Sequence, residues 1–301
     1  MSEHGTDAAT IATLPQILEA QKRAASAQGT PSADVRRDRI QRMIDLLVRH
    51  HKPLTEAIDA DFGGRLVAFS IMNDILGSIT SLKHTRDSLQ TWMVDEERPA
   101  YPPYDQLGAK AYIQYQPKGS VGIIGTWNAP LFTLLSPLAC ALGAGNRAIL
   151  KPSEVVPRTA QVLADAVAEM FDPTEVAVVT GGPELADAFT SLPFDHLVFT
   201  GSTEVGKLVM ANAAKNLVPV TLELGGKSPT IVGRSADLDD AANKIAIAKS
   251  TNSGQICVSP DVVYVPREEL DTFVGALEKS YAALLPSVTD NADVVAVVSD
   301  R

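Results

Sequence analysis

One cysteine lies in a setting that suits a nucleophile. Cys257 follows Gly254 and Gln255 in the polar, glycine-rich stretch TNSGQICVSP. The only other cysteine is Cys140, so the sequence has no CxxC pair and no zinc-ligand spacing, and we expect no metal site. A thiolate attacks carbonyl carbon atoms well. Most isolated cysteines are packing residues, however, so on this stretch alone a structural role is the leading interpretation.

A carboxylate interrupts an apolar segment upstream. Glu223 lies in VPVTLELGG, where Val218, Val220, Leu222 and Leu224 alternate with polar residues. Burying a carboxylate is costly unless it has a partner, so a solvent-facing position is the ordinary explanation. The two glycines that follow place Glu223 at a strand end, where α/β sheets bind ligands. There we expect a partly desolvated carboxylate, which would suit a general base.

Two other predicted strands end in polar side chains. Asn128, in GTWNAP, follows a β run, and its amide can donate to a developing oxyanion. Lys151 and Glu154, in KPSE, follow another, and together they can hold two neighbouring hydroxyl groups by donating and accepting hydrogen bonds. Either stretch alone is also an ordinary polar loop.

The stretch FTGSTEVG joins a predicted strand to a predicted helix. Phe199 and Thr200 end the strand, Gly201 permits a tight turn, and Thr203 is expected to cap the helix. An anion would bind well at such a helix start. An ordinary strand-turn-helix junction is about as common, so both interpretations stay open on this stretch.

Phosphate-loop motifs fit the sequence poorly. GAGNRA (143–148) matches G-x-G-x-x-A, but a helix precedes it and a strand follows, so it is a helix-ending turn. GSTEVGKL ends in Leu208 where a P-loop needs serine or threonine to hold magnesium. LELGGKSP has Thr221 in place of the first glycine, and Pro229 then leads into a strand. A P-loop ATPase is therefore only weakly supported.

The elements that must position these residues alternate between strand and helix. Beyond residue 118 the sequence predicts an α/β fold with a parallel sheet covered on both faces. The predicted strands are SVGIIGTW, RAILK, EVAVVTG, HLVFTGS, VPVTLELGG, SPTIVG and DVVYV. The longer predicted helices span 131–143, 157–170, 203–215, 237–250 and 267–284.

The first third of the chain reads differently. From about 10 to 95 apolar residues recur at steps of three and four, which predicts helices, and nothing there suggests catalysis. Residues 96–107 hold three prolines and predict a linker. The segment 109–117 alternates in the way of an exposed strand.

Composition excludes several classes of partner. With 36 acidic and 26 basic side chains the net charge is −10, which repels phosphate backbones and anionic lipid, so we expect neither nucleic acid nor a membrane. The N-terminal stretch MSEHGTDAATIATLPQ lacks the basic start and apolar core of a signal peptide. The longest apolar run, 129–145, is interrupted by polar residues and is too short to cross a bilayer. We therefore expect a cytoplasmic protein.

Taken in order, GTWNAP, KPSE, FTGSTEVG, LELGGKSP and GQIC resemble the aldehyde dehydrogenase superfamily. The flanking helices look closest to its coniferyl aldehyde dehydrogenase branch, and the resemblance runs from about residue 30 to the end. It implies a Rossmann-type cofactor domain within 1–224, with N-terminal helices and an oligomerisation-type strand near 109–117. It also implies a partial α/β catalytic domain in 225–301, and a homo-oligomer for the full-length family.

The resemblance implies roles for three residues. Cys257 would attack the aldehyde carbon, and the Asn128 amide with the Cys257 backbone N–H would stabilise the resulting oxyanion. Hydride would leave to a nicotinamide to form a thioester, which water activated by Glu223 would hydrolyse. The expected product is the free carboxylic acid, because superfamily members that make acyl-coenzyme A generally lack that base.

The resemblance also implies a cofactor site. Lys151 and Glu154 would hold the adenosine ribose, Ser202 and the following helix the pyrophosphate, and Trp127 would line the channel. Glu154 favours NAD because a carboxylate repels a 2′-phosphate, while NADP stays open because the related branch accepts both. The other residues expected at the cofactor are Ile124, Thr126, Ser153, Phe199, Thr200, Gly201, Val205, Gly206 and Leu224.

The sequence departs from the family pattern in two respects. Thr126 and Ala129 stand where the family usually has a proline before the tryptophan and an aromatic residue after the asparagine, which should reshape the channel without removing the amide. The chain ends at Arg301 in VVSDR, which resembles mid-protein sequence, so the resemblance implies a C-terminally truncated chain. The carboxylate that positions the nicotinamide ribose and the subunit-joining strand would then be absent, and apolar surface would be exposed.

Three hypotheses are compatible with the sequence. The first is an NAD(P)-dependent dehydrogenase of an aldehyde, with an aromatic substrate suggested by the branch. The second is a truncated, inactive relative that retains dinucleotide binding or subunit association. The third, a P-loop nucleotide hydrolase, requires binding of ATP with magnesium.

Overall fold

The computed structural model describes residues 3–289, 291 and 294–298, so the chain end at 299–301, part of the predicted truncation, lies outside the described residues. Its α-helices are α1 (Glu3–Gln28), α2 (Ala33–Phe62), α3 (Val67–Ser70), α4 (Gly77–Trp92), α5 (Phe132–Gly143), α6 (Pro157–Met170), α7 (Pro183–Thr190), α8 (Thr203–Ala214), α9 (Leu238–Ser250) and α10 (Leu270–Leu284). Its strands are β1 (Glu96–Arg98), β2 (Ala111–Ile113), β3 (Ser120–Ile124), β4 (Arg147–Lys151), β5 (Val176–Val178), β6 (His196–Gly201), β7 (Val220–Leu224), β8 (Pro229–Ile231) and β9 (Val262–Tyr264). A π-helix, Ile71–Leu76, joins α3 to α4, and short 3-10 helices lie at Tyr104–Leu107, Thr251–Gly254 and Arg267–Glu269.

The main sheet has five parallel strands in the order β5-β4-β3-β6-β7. The chain starts at β3 in the centre, adds β4 and β5 on one side, and returns to add β6 and β7 on the other. The strand order therefore reverses between β3 and β6, which is the point where open α/β sheets bind ligands. The predicted parallel α/β sheet is confirmed.

Helices cover both faces of this sheet. One hydrophobic core joins α2, α4, α5 and α6 to the sheet, and a second joins α1, α7 and α8 to its other face. All five residues of β3 and all five of β4 are buried, which agrees with the apolar runs at 121–124 and 148–150.

The N-terminal helices agree with the apolar periodicity, whereas the linker prediction was partly wrong. Ser32 caps α2 by accepting a hydrogen bond from the Val35 backbone N–H, and Gly63 ends the helix at a left-handed φ of 66°. Residues 96–98 of the predicted linker form β1, because they find an antiparallel partner in β2. That partner is shorter than the predicted 109–117 strand.

Residues beyond β7 form a small separate core. β8 pairs in parallel with β9, and α9 packs on α10 around five buried residues, Val232, Ala242, Ile245, Phe273 and Ala276. A domain boundary at residue 224 stays a prediction. The two strands expose large apolar side chains, among them Ile231 (79%) and Tyr264 (60%).

Gly122 occupies a position in β3 that has no room for a side chain. An added Cβ would lie 2.6 Å from a Leu197 methyl carbon, 2.9 Å from the Phe189 ring and 3.0 Å from the Phe194 ring. All three neighbours are buried. We expect Gly122→Ala to lower the free energy of unfolding by about 1–3 kcal/mol, the usual cost of overpacking.

Urea unfolding of this variant beside Gly233→Ala checks the expectation. A Cβ at Gly233 would meet nothing within 4 Å, so that change should stay within about 0.5 kcal/mol. Equal losses in both variants would contradict the packing argument.

Candidate active site

The sequence motifs lie at strand ends, and these ends are side by side at the carboxyl edge of the main sheet. Ile124, the last residue of β3, pairs with Lys151 in β4 and Phe199 in β6. Thr200 in β6 pairs with Glu223 in β7. The loops after four neighbouring strands therefore lie at the same edge, on both sides of the point between β3 and β6 where the strand order reverses.

Asn128 lies half-buried in the turn between β3 and α5. Its Nδ2 donates to the backbone carbonyl of Gln255 at 2.9 Å, and its Oδ1 accepts from the Thr126 hydroxyl. Gln255 precedes Cys257 by two residues. This hydrogen bond therefore connects the amide to the segment 251–261 between α9 and β9, here called the cysteine loop. An amide nitrogen carries two N–H groups, which leaves one to face a ligand.

The cysteine loop has an unusual backbone. After α9 the chain passes through three successive left-handed residues, Asn252 (φ 51°), Ser253 (φ 53°) and Gly254 (φ 73°). Left-handed conformations are uncommon for residues other than glycine and cluster at functional loops. The turn leaves the Cys257 side chain exposed, and the Cys257 carbonyl accepts a hydrogen bond from Ser228 Oγ at 3.3 Å.

Asn252 connects the two loops and was not among the residues predicted from the sequence. Its side chain is buried, and its Nδ2 lies 3.3 Å from the Asn128 carbonyl and 3.2 Å from the Gln255 carbonyl. Asparagine tolerates left-handed backbone better than most residues. Its place two residues before GQIC was the available signal.

A buried ion pair supports the Asn128 turn from the N-terminal helices. Arg65 Nη2 and Asp74 Oδ2 lie 2.8 Å apart, and neither side chain is exposed. Arg65 Nη1 donates to the Asn128 carbonyl at 3.1 Å. Asp74 Oδ1 accepts from the backbone N–H groups of Leu131 at 3.1 Å and Phe132 at 3.3 Å, at the start of α5.

Burial acts against the charge of both partners. It lowers the pKa of Arg65, and it raises the pKa of Asp74, while each partner's charge opposes the shift of the other. No catalytic residue was predicted in this helical region from the sequence. The available signal was an acid, Asp74, within the largely apolar segment VAFSIMNDILGSI.

Glu223 is not partly desolvated, so that expectation was wrong. Its side chain is exposed, because burial alternates along β7. Val220, Leu222 and Leu224 pack against the core, whereas Thr221 and Glu223 point to the other face. β7 is also the edge strand of the sheet. The ordinary explanation, a solvent-facing carboxylate, describes this residue.

The loop after β4 presents an amine and a carboxylate together. Lys151 is 1% exposed, and its Nζ donates to the Glu154 carboxylate at 3.1 Å and to the Pro152 carbonyl at 3.2 Å. Glu154 itself remains 45% exposed. Ser153 is buried, and its Oγ accepts from the Val155 backbone N–H. Donor and acceptor therefore stand side by side at the sheet edge.

The start of α8 is capped by Ser202, not by Thr203 as expected. Ser202 has extended backbone, and its Oγ accepts from the Val205 N–H at 3.3 Å. Thr203 is the first helical residue. A Cβ on Gly206 would lie 2.9 Å from a Leu224 methyl carbon, so glycine lets the helix pack closely on β7. The first N–H groups of a helix lack intrahelical partners and attract anions.

The other predicted cofactor residues differ in whether the side chain or only the backbone can contact a ligand. The side chains of Ile124 and Phe199 are buried in the core, so only their backbone can face a ligand. Trp127 is partly buried and its ring lies 6.3 Å from that of Phe62, centroid to centroid. Val205 is exposed on the first turn of α8.

The model of the family described as "Aldehyde dehydrogenase family" matches residues 5–301. This chain belongs to the aldehyde dehydrogenase family. The predicted resemblance is therefore confirmed, and this aldehyde dehydrogenase family chain also matches a curated relative from its predicted branch. That relative, named "Probable coniferyl aldehyde dehydrogenase", comes from Caulobacter vibrioides and is 46% identical over 96% of this chain and 60% of its own length.

Solved structures agree with the fold of this aldehyde dehydrogenase family chain. The substrate-bound state of Staphylococcus aureus AldH is 33% identical and superposes with a TM-score of 0.89, over 94% of this chain and 62% of that one. A crystal structure of indole-3-acetaldehyde dehydrogenase in complex with NAD+ is 27% identical, with a TM-score of 0.85 over 96% and 59%. The chain thus spans about 60% of the length of the curated relative above.

The described residues of this aldehyde dehydrogenase family chain contain neither a candidate metal centre nor a helix that could span a membrane. Within the described residues, histidine, cysteine and acidic side chains nowhere gather in threes as a metal site would need. None of the helices in the described part of the chain has the length and apolarity to span a bilayer.

Proposed function

We propose that this chain carries the nucleophile, the oxyanion amide and the dinucleotide site of an enzyme that oxidises an aldehyde to a carboxylic acid. The observation that carries the proposal is the hydrogen bond from Asn128 Nδ2 to the Gln255 carbonyl, which brings the amide against the cysteine loop. Family membership and the NAD+ complex of a similar structure support it. The name of the Caulobacter relative supports an aromatic, coniferyl-like aldehyde.

The residues at the sheet edge fit a nicotinamide dinucleotide. Ser202 and the first turn of α8 would hold the pyrophosphate, since helix N-termini bind phosphate groups. Lys151 and Glu154 would hold the adenosine ribose through its two hydroxyl groups. Glu154 favours NAD over NADP, because a carboxylate repels a 2′-phosphate. When bound, the oxidised nicotinamide supplies the acceptor for a hydride.

The first chemical step uses Cys257 and Asn128. The Cys257 thiolate forms a carbon–sulfur bond to the aldehyde carbon, and the carbonyl electron pair moves onto oxygen. That oxyanion accepts hydrogen bonds from the Asn128 amide and the Cys257 backbone N–H. Donors that are already oriented toward developing charge lower the barrier strongly.

The later steps use Glu223. Once hydride has left the thiohemiacetal carbon, its C=O bond re-forms and Cys257 carries a thioester. Glu223 accepts a proton from a water molecule, whose oxygen attacks the thioester and releases the carboxylic acid and the Cys257 thiolate. The exposed position of Glu223 gives it access to that water.

A second candidate function is dinucleotide binding without turnover. It is favoured by the exposure of both Cys257 and Glu223. Attack of a thiolate on a carbonyl group is faster in a site that excludes water. The loop after β4 and the start of α8, which would hold the dinucleotide, can bind it at a solvent-exposed surface. This candidate predicts that the chain binds NAD and forms no NADH from any aldehyde.

Replacing Glu154 tests the ribose assignment. We expect Glu154→Ala to weaken NAD binding by about tenfold, because hydrogen bonds to a charged group are lost. NADP binding should weaken less or improve, because the repelling charge is gone. Isothermal titration with each dinucleotide measures both, and Glu278→Ala on the exposed face of α10 is the control. Equal losses for NAD and NADP would contradict the assignment.

Alkylation of the two cysteines tests the proposal as a whole. Cys257 and Cys140 are both exposed, so Cys140 serves as an internal control. Iodoacetamide should label Cys257 faster than Cys140, and aldehyde with NAD should protect Cys257 alone. Peptide mass spectrometry measures both rates. Equal, unprotected labelling would count against the proposal, and NAD binding without protection by aldehyde would favour the second candidate.

A further inference from the structure

We propose that Arg65 and Asp74 are a positioning pair for the reaction, which holds Asn128 where its amide can meet the oxyanion. The inference rests on the proposed function. It assigns no contact with substrate to either residue. Both would act through the turn that connects β3 to α5.

The pair fastens this turn at two points. Arg65 Nη1 donates to the carbonyl of Asn128 itself, at 3.1 Å. Asp74 Oδ1 binds the backbone N–H groups of Leu131 and Phe132, where α5 begins. The 2.8 Å contact between Arg65 and Asp74 closes the arrangement, so the backbone from 128 to 132 is held from both ends by one ion pair.

The guanidinium group has a fixed orientation. Arg65 Cζ lies 4.8 Å from the ring centroid of Phe62 and 4.8 Å from that of Phe69. Its backbone N–H donates to Asp59 Oδ1 at 2.7 Å, directly after Gly63 and Gly64. A planar group that is stacked on aromatic rings and anchored at its backbone holds its hydrogen bonds in one direction.

The carboxylate is equally constrained. Asp74 lies in the π-helix Ile71–Leu76, a rare element that often marks functional sites. Its backbone carbonyl accepts from Ser78 Oγ at 2.6 Å, and its Oδ2 also accepts from Asn73 Nδ2 at 3.2 Å. The element that departs from regular α-helix therefore carries an acid that binds the start of α5.

A buried ion pair is a poor device for stability alone. Removing two charges from water often costs more free energy than their attraction returns. Apolar pairs of similar size frequently stabilise a protein equally well. The partners of this pair are instead backbone groups on both sides of Asn128. Its placement therefore suits orientation of the turn.

The test is a double replacement, Arg65→Met with Asp74→Leu, which removes the pair without leaving an unpaired buried charge. Three readouts are compared in the full 301-residue chain. They are acylation of Cys257 by p-nitrophenyl acetate, alkylation of Cys257 by iodoacetamide, and hydrogen exchange of the 126–133 backbone. Acylation passes through an oxyanion, whereas alkylation at a saturated carbon does not.

We expect the double variant to lose acylation rate by about tenfold or more while its alkylation rate changes by less than about twofold. Exchange within 126–133 should become about a hundredfold faster, because the anchoring hydrogen bonds are gone. Arg65→Lys alone, with Asp74 intact, should retain part of the acylation rate that the double variant loses. Its ammonium group reaches Asp74 or Asn128 but lacks the planar fork that serves both.

Two controls separate positioning from general stability. Arg39→Met with Glu175→Leu removes another ion pair, whose arginine is buried and whose glutamate is half-buried, next to the start of β5 at the opposite edge of the sheet. Arg42, which also contacts Glu175, keeps Asp38 as its partner. Its acylation-to-alkylation ratio should stay unchanged even if thermal unfolding occurs at a lower temperature. In an Asn128→Ala background the Arg65 and Asp74 replacements should cost no further acylation rate, because the amide they position is absent.

Either of two outcomes overturns the inference. One is a further acylation loss of the same size in the Asn128→Ala background, and the other is unchanged exchange within 126–133. Failure of the proposed function looks different, because the unmodified chain would then fail to acylate while Cys257 still alkylates. In that case hydrogen exchange alone decides whether the pair holds the turn.

Discussion

Replacing Cys257 by alanine should abolish aldehyde-dependent formation of NADH or NADPH, by about a thousandfold or more. Alanine leaves no atom that can form the carbon–sulfur bond, so no thiohemiacetal exists from which hydride can leave. The loop carbonyl of Gln255 and the Asn128 amide should keep their contact, since the side chain of Cys257 takes no part in it. Absorbance at 340 nm with a panel of aromatic and aliphatic aldehydes measures the effect.

Cys140→Ala is the matched control. That thiol is exposed on α5 and lies outside the proposed machinery, so its loss should leave the rate within about twofold of the unmodified chain. Circular dichroism of both variants verifies that the fold is retained. Formation of NADH that survives in Cys257→Ala would show that another group carries the reaction, and the proposed nucleophile would be wrong.

Glu223→Gln should separate hydride transfer from hydrolysis. Glutamine keeps the size of the side chain but cannot accept the proton of water, so steady-state turnover should fall by about a hundredfold. The first turnover should remain, because the attack by Cys257 and departure of hydride precede the step that needs the base. Rapid mixing should show a burst of NADH, and intact mass measurement should show Cys257 carrying the acyl group.

Glu278→Gln provides the comparison for this change. Glu278 is an exposed glutamate on α10 and has no proposed part in cofactor binding or hydrolysis. It should show full steady-state turnover and no accumulated thioester. If Glu223→Gln instead loses the burst and the steady state together, Glu223 acts before the thioester forms.

Most of the fold was predictable because its signals are local. Seven short apolar runs beyond residue 118 predicted strands, and each became a strand within the expected stretch. Five form the main sheet, whereas β8 and β9 form a separate parallel pair. Helices α5 and α6 fall at the predicted positions to within a residue. The antiparallel pairing of β1 was not predictable, since its proline-rich setting resembles a linker and its partner lies beyond a 3-10 turn.

The candidate site was predictable as a set of strand ends. Parallel strands end at one edge of a sheet, so polar residues after β3, β4, β6 and β7 had to gather there. The exact cap of α8 and the exposure of Glu223 were not predictable, because one depends on backbone angles at Ser202 and the other on which strand lies at the sheet edge.

The sequence by itself determined the strand and helix order, the family and the residue types at each strand end, since these follow from periodicity and from motifs within a few residues. Only the tertiary structure decided that Asn128 contacts Gln255, 127 positions away, and Arg65, 63 positions away. Such contacts depend on how whole helices pack on the sheet. A single chain contains no local signal for them, because the partners become neighbours only when burial of both sheet faces brings distant segments together.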